Sequence, residues 1–203
     1  MSTITTLFFD VGGVLLTNGW DHVAREKAAE RFGYDYEESE ARHQELAQRF
    51  ECGQINQKDY LQQAVFFAER SFTEGDFVRF MESQSQPHST SLEVLAQLKN
   101  QGVYRLATVN NESTYINNYR IRTFELVRYF CAFFRSCYLG VTKPNCEIFQ
   151  KALSISQREG QECLFVDDRE ENVAAAQQCG IRAVHLPQPD DLADVLSGEG
   201  VTI

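Results

Sequence analysis

Asp10 closes a short apolar run, Leu7, Phe8 and Phe9, and opens the glycine turn Val11, Gly12, Gly13, Val14, Leu15. A carboxylate at the carboxyl end of a strand buried on both faces is costly unless a cation or phosphate chemistry uses it. Lys143-Pro144 follows much later, and then the pair Asp167-Asp168, which again closes an apolar run, Cys163, Leu164, Phe165, Val166. Two acidic sites, a lysine and a glycine turn in this order imply a metal-assisted phosphoryl-transfer centre. In such a centre Asp10 attacks phosphorus and forms an aspartyl-phosphate, which splits one hard displacement into two easier ones. Attack of an anion on an anion needs charge neutralisation, which Mg²⁺ supplies by bridging carboxylate and phosphate oxygens.

Each residue in the series also has an ordinary structural use. Asp10 taken alone could simply start a turn. In the chemical reading, the backbone after it donates amides to phosphate, and Gly12 and Gly13 permit close approach. Lys143 would neutralise Asp10 and the transferring phosphate as a point charge, whereas a Lys-Pro in isolation is common surface loop. Asp167 and Asp168 would place one carboxylate on the metal and the other behind it. Asp168 with Glu171 three residues on also fits a helix capping box. The stretch Thr108, Val109, Asn110, Asn111, Glu112 closes a strand and starts a helix. Amides at a helix N-terminus attract anions, and Asn110 can donate a hydrogen bond to phosphate; alternatively, Asn110 or Asn111 only caps the helix.

These residues must be positioned by regular elements. Strand-like runs recur at 4–9, 103–109, 131–135, 163–166 and 181–186, with helical patterns at 92–99, 115–127, 147–153 and 172–179. Strand and helix alternating at that spacing predict an α/β protein built on a doubly wound parallel sheet. Gly102 and Gly180 sit just past helices, where a left-handed cap is wanted. Residues 20–81 break the alternation: apolar spacings of three and four recur in several successive helices, with Gly53 and Gly75 as breaks between them. The predicted organisation is an α/β core, 1–17 and 88–203, with a small helical cap, 18–87, lying over the strand ends. Residues 17–19 and 84–87 form its outgoing and return hinges.

Bulk properties narrow the partners. A chain of 203 residues, 43% hydrophobic with 15 Phe, has enough apolar mass for a real core. Nineteen basic against 29 acidic residues leave a net charge of −10, and no basic run occurs, which argues against nucleic-acid and anionic-membrane partners. An acidic protein also repels a phosphate substrate at long range, so a metal or local cations must reverse the field at the site. The six cysteines, Cys52, Cys131, Cys137, Cys146, Cys163 and Cys179, show no paired spacing and read as buried free thiols ahead of disulfides or zinc ligands. No window approaches a membrane span and no leader pattern opens the chain, so a soluble, cytoplasmic protein is expected. Nothing in the pattern specifies an oligomeric state.

Taken together, the four stretches resemble the motifs of the haloacid dehalogenase superfamily, most of whose members are phosphatases. Residues 8–15 resemble its nucleophile motif, 108–111 its phosphate-binding motif, 140–144 with Phe149 its lysine motif, and 165–168 with Asn172 its metal motif. The segment near 18–86 is similar to the lid of one subgroup, and residues 51–55 to a helix-to-helix turn in those lids. The resemblance implies a Rossmann-like core, Mg²⁺ held by Asp10, Asp168, Asp167 and the Gly12 carbonyl, and a small phosphorylated metabolite bound by Gly12, Gly13, Asn110, Asn111 and Lys143. Two positions depart from the pattern. The family carries a second aspartate two residues after the nucleophile, as general acid and base, where this chain has Gly12. It also has Ser or Thr directly before the motif asparagine, where Val109 stands; strand alternation puts Thr108 and Asn110 on one face, so Asn110 is the expected phosphate contact and Thr108 the reserve. Three functions follow: a Mg²⁺-dependent phosphatase, a catalytically degenerate phosphate-binding or regulatory protein, and a metal-independent dehalogenase, which would have no use for Asp167-Asp168.

Overall fold

The structure is a computed structural model that describes residues 3–203. Five strands, β1 (Thr6–Phe9), β2 (Arg105–Asn110), β3 (Ala132–Arg135), β4 (Cys163–Asp167) and β5 (Arg182–His185), form one sheet in the order β3-β2-β1-β4-β5. Every pairing is parallel. All four residues of β1 are buried, because the central strand of a parallel sheet is covered on both faces and reads as a continuous apolar run. Register sets Phe9 beside Thr108 on one side and Val166 on the other. The chain proceeds from β1 through β2 to β3, then returns across β1 to lay down β4 and β5. The order reverses at β1, and ligand crevices of open α/β sheets form outside the strand ends at such a point. Asp10 and Asp167 leave the sheet there.

Between β1 and the rest of the sheet the chain forms four helices, α1 (His22–Phe32), α2 (Tyr36–Glu51), α3 (Gln57–Ala64) and α4 (Glu74–Ser83), followed by α5 (Ser89–Gln101). Asp21, Asp35 and Asn56 cap the first three by accepting backbone N–H bonds, and Thr73 with Asp76 makes a capping box on α4. These helices bury an apolar cluster of their own, centred on Leu46, Tyr60, Leu61, Phe77 and Met81. Gly53 turns the chain after α2 with φ 69°, whereas Gly75 lies inside the first turn of α4 rather than between helices, since Thr73 starts that helix upstream.

The remaining helices are α6 (Thr114–Thr123), α7 (Ser136–Leu139), α8 (Cys146–Ser156), α9 (Glu170–Gln178) and α10 (Leu192–Gly198). Residues from α5 and α10 cover one sheet face around Leu7, Phe9 and Leu164, and α8 and α9 cover the other around Phe8, Val109 and Phe165. The helix expected over 115–127 stops at Thr123, and Glu125 in the left-handed region turns the chain into a short 3₁₀ segment. The connections into and out of the helical segment run side by side: Leu16 bridges Pro87, and Thr17 N–H donates to the Gln86 carbonyl at 2.8 Å.

The expectation of six free thiols is corrected. Packing of α8 on α9 brings Cys146 and Cys179, 33 residues apart, to a Cα separation of 6.1 Å, and their sulfurs are bonded. Their distance in sequence hides a proximity that only helix packing creates. Of the others, Cys163 and Cys52 are buried, but Cys131 is exposed. Among the described residues no helix is long and apolar enough to cross a membrane.

Candidate active site

β1 ends at Phe9, and the next backbone amide, Asp10 N–H, donates to the Val166 carbonyl at 2.9 Å. That bond holds Asp10 at the strand end, and its Oδ1 accepts the Val11 N–H at 2.8 Å. Lys143 arrives from the loop between α7 and α8. Asn111, just past β2, fixes that loop from both directions: its amide donates to the Lys143 carbonyl at 2.9 Å and its Oδ1 accepts the Lys143 N–H at 2.8 Å. The ammonium so placed is buried, 2.9 Å from Asp10 Oδ1 and 2.6 Å from Asp167 Oδ2. Asp167 also accepts two bonds from the Asn172 amide, at 3.0 and 3.1 Å, and one from the Arg169 N–H at 2.9 Å. Its lone pairs are therefore largely committed to orienting Lys143.

Asp168 differs. Its buried Oδ1 meets no hydrogen-bond donor among the described residues, and its Oδ2 has only the Asn18 amide at 3.5 Å. Oxygens of Asp10, Asp167 and Asp168 lie within 4.8 Å of one another. Burial raises the Asp10 carboxyl above the ordinary range; Lys143 pulls it down, and Asp167 and Asp168 push it up again. Burial, then the Asp167 charge, raises Asp168 in the same direction. Lys143 is raised as well, because the two carboxylates outweigh the effect of its own burial. Three carboxylates facing one ammonium leave an excess of negative charge that a divalent cation would cancel, and an unpaired carboxylate oxygen is the donor such a cation requires. The residues present thus fit a hard metal ion.

Gly13 adopts φ 74°, and a Cβ there would overlap the Asp168 carboxylate. Its lack of a side chain seats Asp168; Gly12, in contrast, lines the cavity above Asp10. That cavity, about 650 Å³, extends from Asp10, Asn111, Lys143 and Asp168 up to Trp20, Arg25, His43 and Glu51 of the helical segment. Asn110 is not among its lining residues. Its amide donates to Asn117 of α6 at 3.4 Å, and the side chain is buried. Thr108 is also fully buried, its hydroxyl without a partner. Neither asparagine caps α6, whose N-cap is Ser113, and the capping box expected from Asp168 and Glu171 is absent because α9 begins after Arg169.

Several further residues complete the cavity wall. Arg120 of α6 is buried and paired with Glu112 at 2.9 Å, and it donates to the Thr17 carbonyl and Ser85 hydroxyl, both at 3.0 Å. One guanidinium thereby ties both connections of the helical segment to the core. Burial raises the Glu112 carboxyl, with Arg120 opposing. Arg25 forms a two-pronged pair with Glu40, at 2.6 and 2.9 Å. Trp20 donates to the Tyr60 hydroxyl at 2.9 Å and packs edge-on against Phe77, so it both lines the cavity and belongs to the helical core. His43 contacts that hydroxyl at 2.8 Å, and burial pushes its pKa down to about 4. A buried Arg of α6 and a half-buried Glu of the preceding loop, eight residues apart, have no periodic signature.

The sequence profile of the family described as haloacid dehalogenase-like hydrolase matches residues 4–180. The chain belongs to the haloacid dehalogenase-like hydrolases. It is 26% identical over 189 residues, 91% of each protein, to the sesquiterpene phosphatase astK of Aspergillus oryzae. It is 33% identical over 70 residues, 34% of this chain and 29% of that protein, to flavin mononucleotide hydrolase 1 of Arabidopsis thaliana. A crystal structure of a family enzyme from Bacteroides thetaiotaomicron superposes with a TM-score of 0.84 at 20% identity, over 96% of this chain and 99% of that one. A complex of that enzyme with magnesium and inorganic phosphate gives a TM-score of 0.78 at 21% identity, over 90% and 93%. At these identities the structural likeness speaks for the fold, and the α/β core with its parallel five-stranded sheet is the family's.

Proposed function

We propose that this hydrolase is a Mg²⁺-dependent phosphatase that cleaves a small phosphomonoester through an aspartyl-phosphate on Asp10. The observation that carries the reading is the convergence of Asp10, Lys143 and Asp168 at one point where the strand order reverses, with a carboxylate oxygen left unpaired. Relatives called a sesquiterpene phosphatase and a flavin mononucleotide hydrolase, and a family enzyme that takes up magnesium and phosphate, support the same chemistry.

Asp10 and Asp168, with the Gly12 carbonyl, would hold Mg²⁺, which when bound neutralises charge on the phosphoryl oxygens. Lys143 keeps Asp10 oriented and supplies positive charge next to the transferring group. Asp167, through Asn172 and the Arg169 amide, holds Lys143 in place. Asn111 fixes the Lys143 loop and borders the phosphate space. The helical segment 18–87 acts as the cap that excludes water and selects substrate. Its cavity wall is almost wholly polar, with Arg25, Glu40, His43, Gln44 and Glu51 exposed to the ligand space. A hydrated metabolite fits such a wall better than a long hydrocarbon chain.

The test is a panel of phosphomonoesters assayed with Mg²⁺ and with EDTA, beside Asp10→Asn. Phosphate release that requires Mg²⁺ and disappears in the variant is expected. Survival of activity in Asp10→Asn would rule out the nucleophile. Gly12 favours a second reading, phosphate binding without turnover, which predicts tight phosphate binding and no release from any ester.

A further inference from the structure

With Gly12 after the nucleophile, the turn supplies no proton for the leaving group. A Cβ on Gly12 would lie 3.1 Å from Asn18 Oδ1 and 3.6 Å from Arg120 Nη1. That corner is filled by an amide and a guanidinium rather than by a carboxyl group. An acid must come from elsewhere in the cavity. Apart from Asp10, five carboxylates line it: Asp21, Glu40, Glu51, Glu112 and Asp168. Asp21 caps α1, Glu40 holds Arg25, Glu112 holds Arg120, and Asp168 belongs to the acidic cluster beside Asp10. Among the described residues that line the cavity, Glu51 is the carboxylate with no hydrogen bond or ion pair.

Its placement matches the need. Asp10 lies on the cavity floor at the end of β1, and in-line displacement sends the leaving oxygen out on the opposite side of phosphorus, toward the helices. Glu51 is the last residue of α2, on that side. Its backbone is anchored to the core, because the Ser136 hydroxyl donates to the Glu51 carbonyl at 2.7 Å. Two residues later Gly53 sits so close to the Cys137 carbonyl that any Cβ would overlap it. The carboxylate therefore hangs from a clamped backbone in the cavity that Asp10 and Lys143 also line.

We propose that Glu51 is the general acid and base of this enzyme, taking the role that Gly12 cannot fill. As Asp10 forms its bond to phosphorus, the bond from phosphorus to the ester oxygen breaks and the Glu51 carboxylic acid gives its proton to that oxygen, releasing the alcohol. The Glu51 carboxylate then takes a proton from water as the water oxygen attacks phosphorus, which frees Asp10 and phosphate and restores the acid. Burial pushes the Glu51 carboxyl up to about 7, with Glu112 adding to the rise and Arg169, Lys143 and Arg25 opposing it. A group near that value is ready for both transfers at neutral pH.

The inference rests on the phosphatase reading, and stopped-flow assays of Glu51→Gln with Mg²⁺ separate the two. Turnover of ethyl phosphate should fall about 10²–10⁴-fold, the usual worth of a positioned acid–base. With p-nitrophenyl phosphate, whose leaving group needs no proton, the variant should release a burst of about one equivalent of nitrophenolate and then turn over slowly, as expected when a covalent intermediate accumulates. Ethyl phosphate turnover within tenfold of wild type would overturn the proposal. So would a missing burst, which would mean general damage to the site. A wild-type enzyme inert toward both esters would instead remove the phosphatase reading itself, and Asp10→Asn should show no burst with either.

Discussion

Lys143→Met keeps most of the side chain's bulk and deletes the ammonium that Asp10 and Asp167 share at 2.9 and 2.6 Å. At an effective dielectric constant of about 20, a unit charge pair at such a separation is worth roughly 6 kcal/mol before desolvation is subtracted. Removing one partner of a buried pair costs about 3–5 kcal/mol in practice, since the remaining charge stays buried and uncompensated. The loss should depend on pH. Asp10 already sits above its unfolded pKa, so its contribution to stability is present at low pH and fades as pH rises through the folded value. Without the ammonium that folded value climbs further, and the fading extends to higher pH. The variant should therefore be destabilised by about 3–5 kcal/mol at pH 8, and by roughly half as much at pH 5, where Asp10 is neutral. Urea denaturation at both pH values in EDTA measures this. A loss below about 1 kcal/mol at pH 8, or one equal at the two pH values, would refute the view that Lys143 is the counter-ion of a buried acidic cluster.

Two further outcomes follow from the same geometry. Mg²⁺ at a hundredfold its dissociation constant should stabilise the protein by about 2.7 kcal/mol, a rise of roughly 5–10 °C in Tm for a chain of this size. Asp168→Asn should lose most of that rise, and a variant that keeps it would take Asp168 out of the metal site. Arg120→Met should cost about 3–5 kcal/mol, more at pH 8 than at pH 5, because it leaves the raised Glu112 carboxyl unopposed. In urea melts the double variant Arg120→Met/Glu112→Gln should recover part of the loss, and no recovery would show that the pair is not what holds the connections at Thr17 and Ser85.

Much of this protein is legible locally. Strand-like runs mark every strand to within two positions, and those of β1 and β4 are continuously apolar because both faces of these strands are buried. Aspartates at the ends of two such runs, Asp10 and Asp167, signal a site because a charge there is costly without a partner. The succession of helices after β1 is visible in apolar spacings of three and four. Short elements escaped: α7 is a single turn, and a run of seven residues such as α10 has too few apolar repeats to stand out.

Tertiary structure decided what meets what. The strand order brings residues 10, 143 and 167 to one point, and no spacing along the chain encodes that order. Asn111, and not Asn110, faces the cavity because β2 ends between them and the chain turns. The Cys146–Cys179 bond, the Arg120–Glu112 pair and the unpaired carboxylate of Glu51 likewise depend on how helices pack against the sheet and one another. Hydrophobic patterning is a property of neighbours along the chain, so sequence alone determines the elements and their acidic ends. Pairing of polar groups is a property of neighbours in space, and it exists only once burial has chosen which of them share a wall.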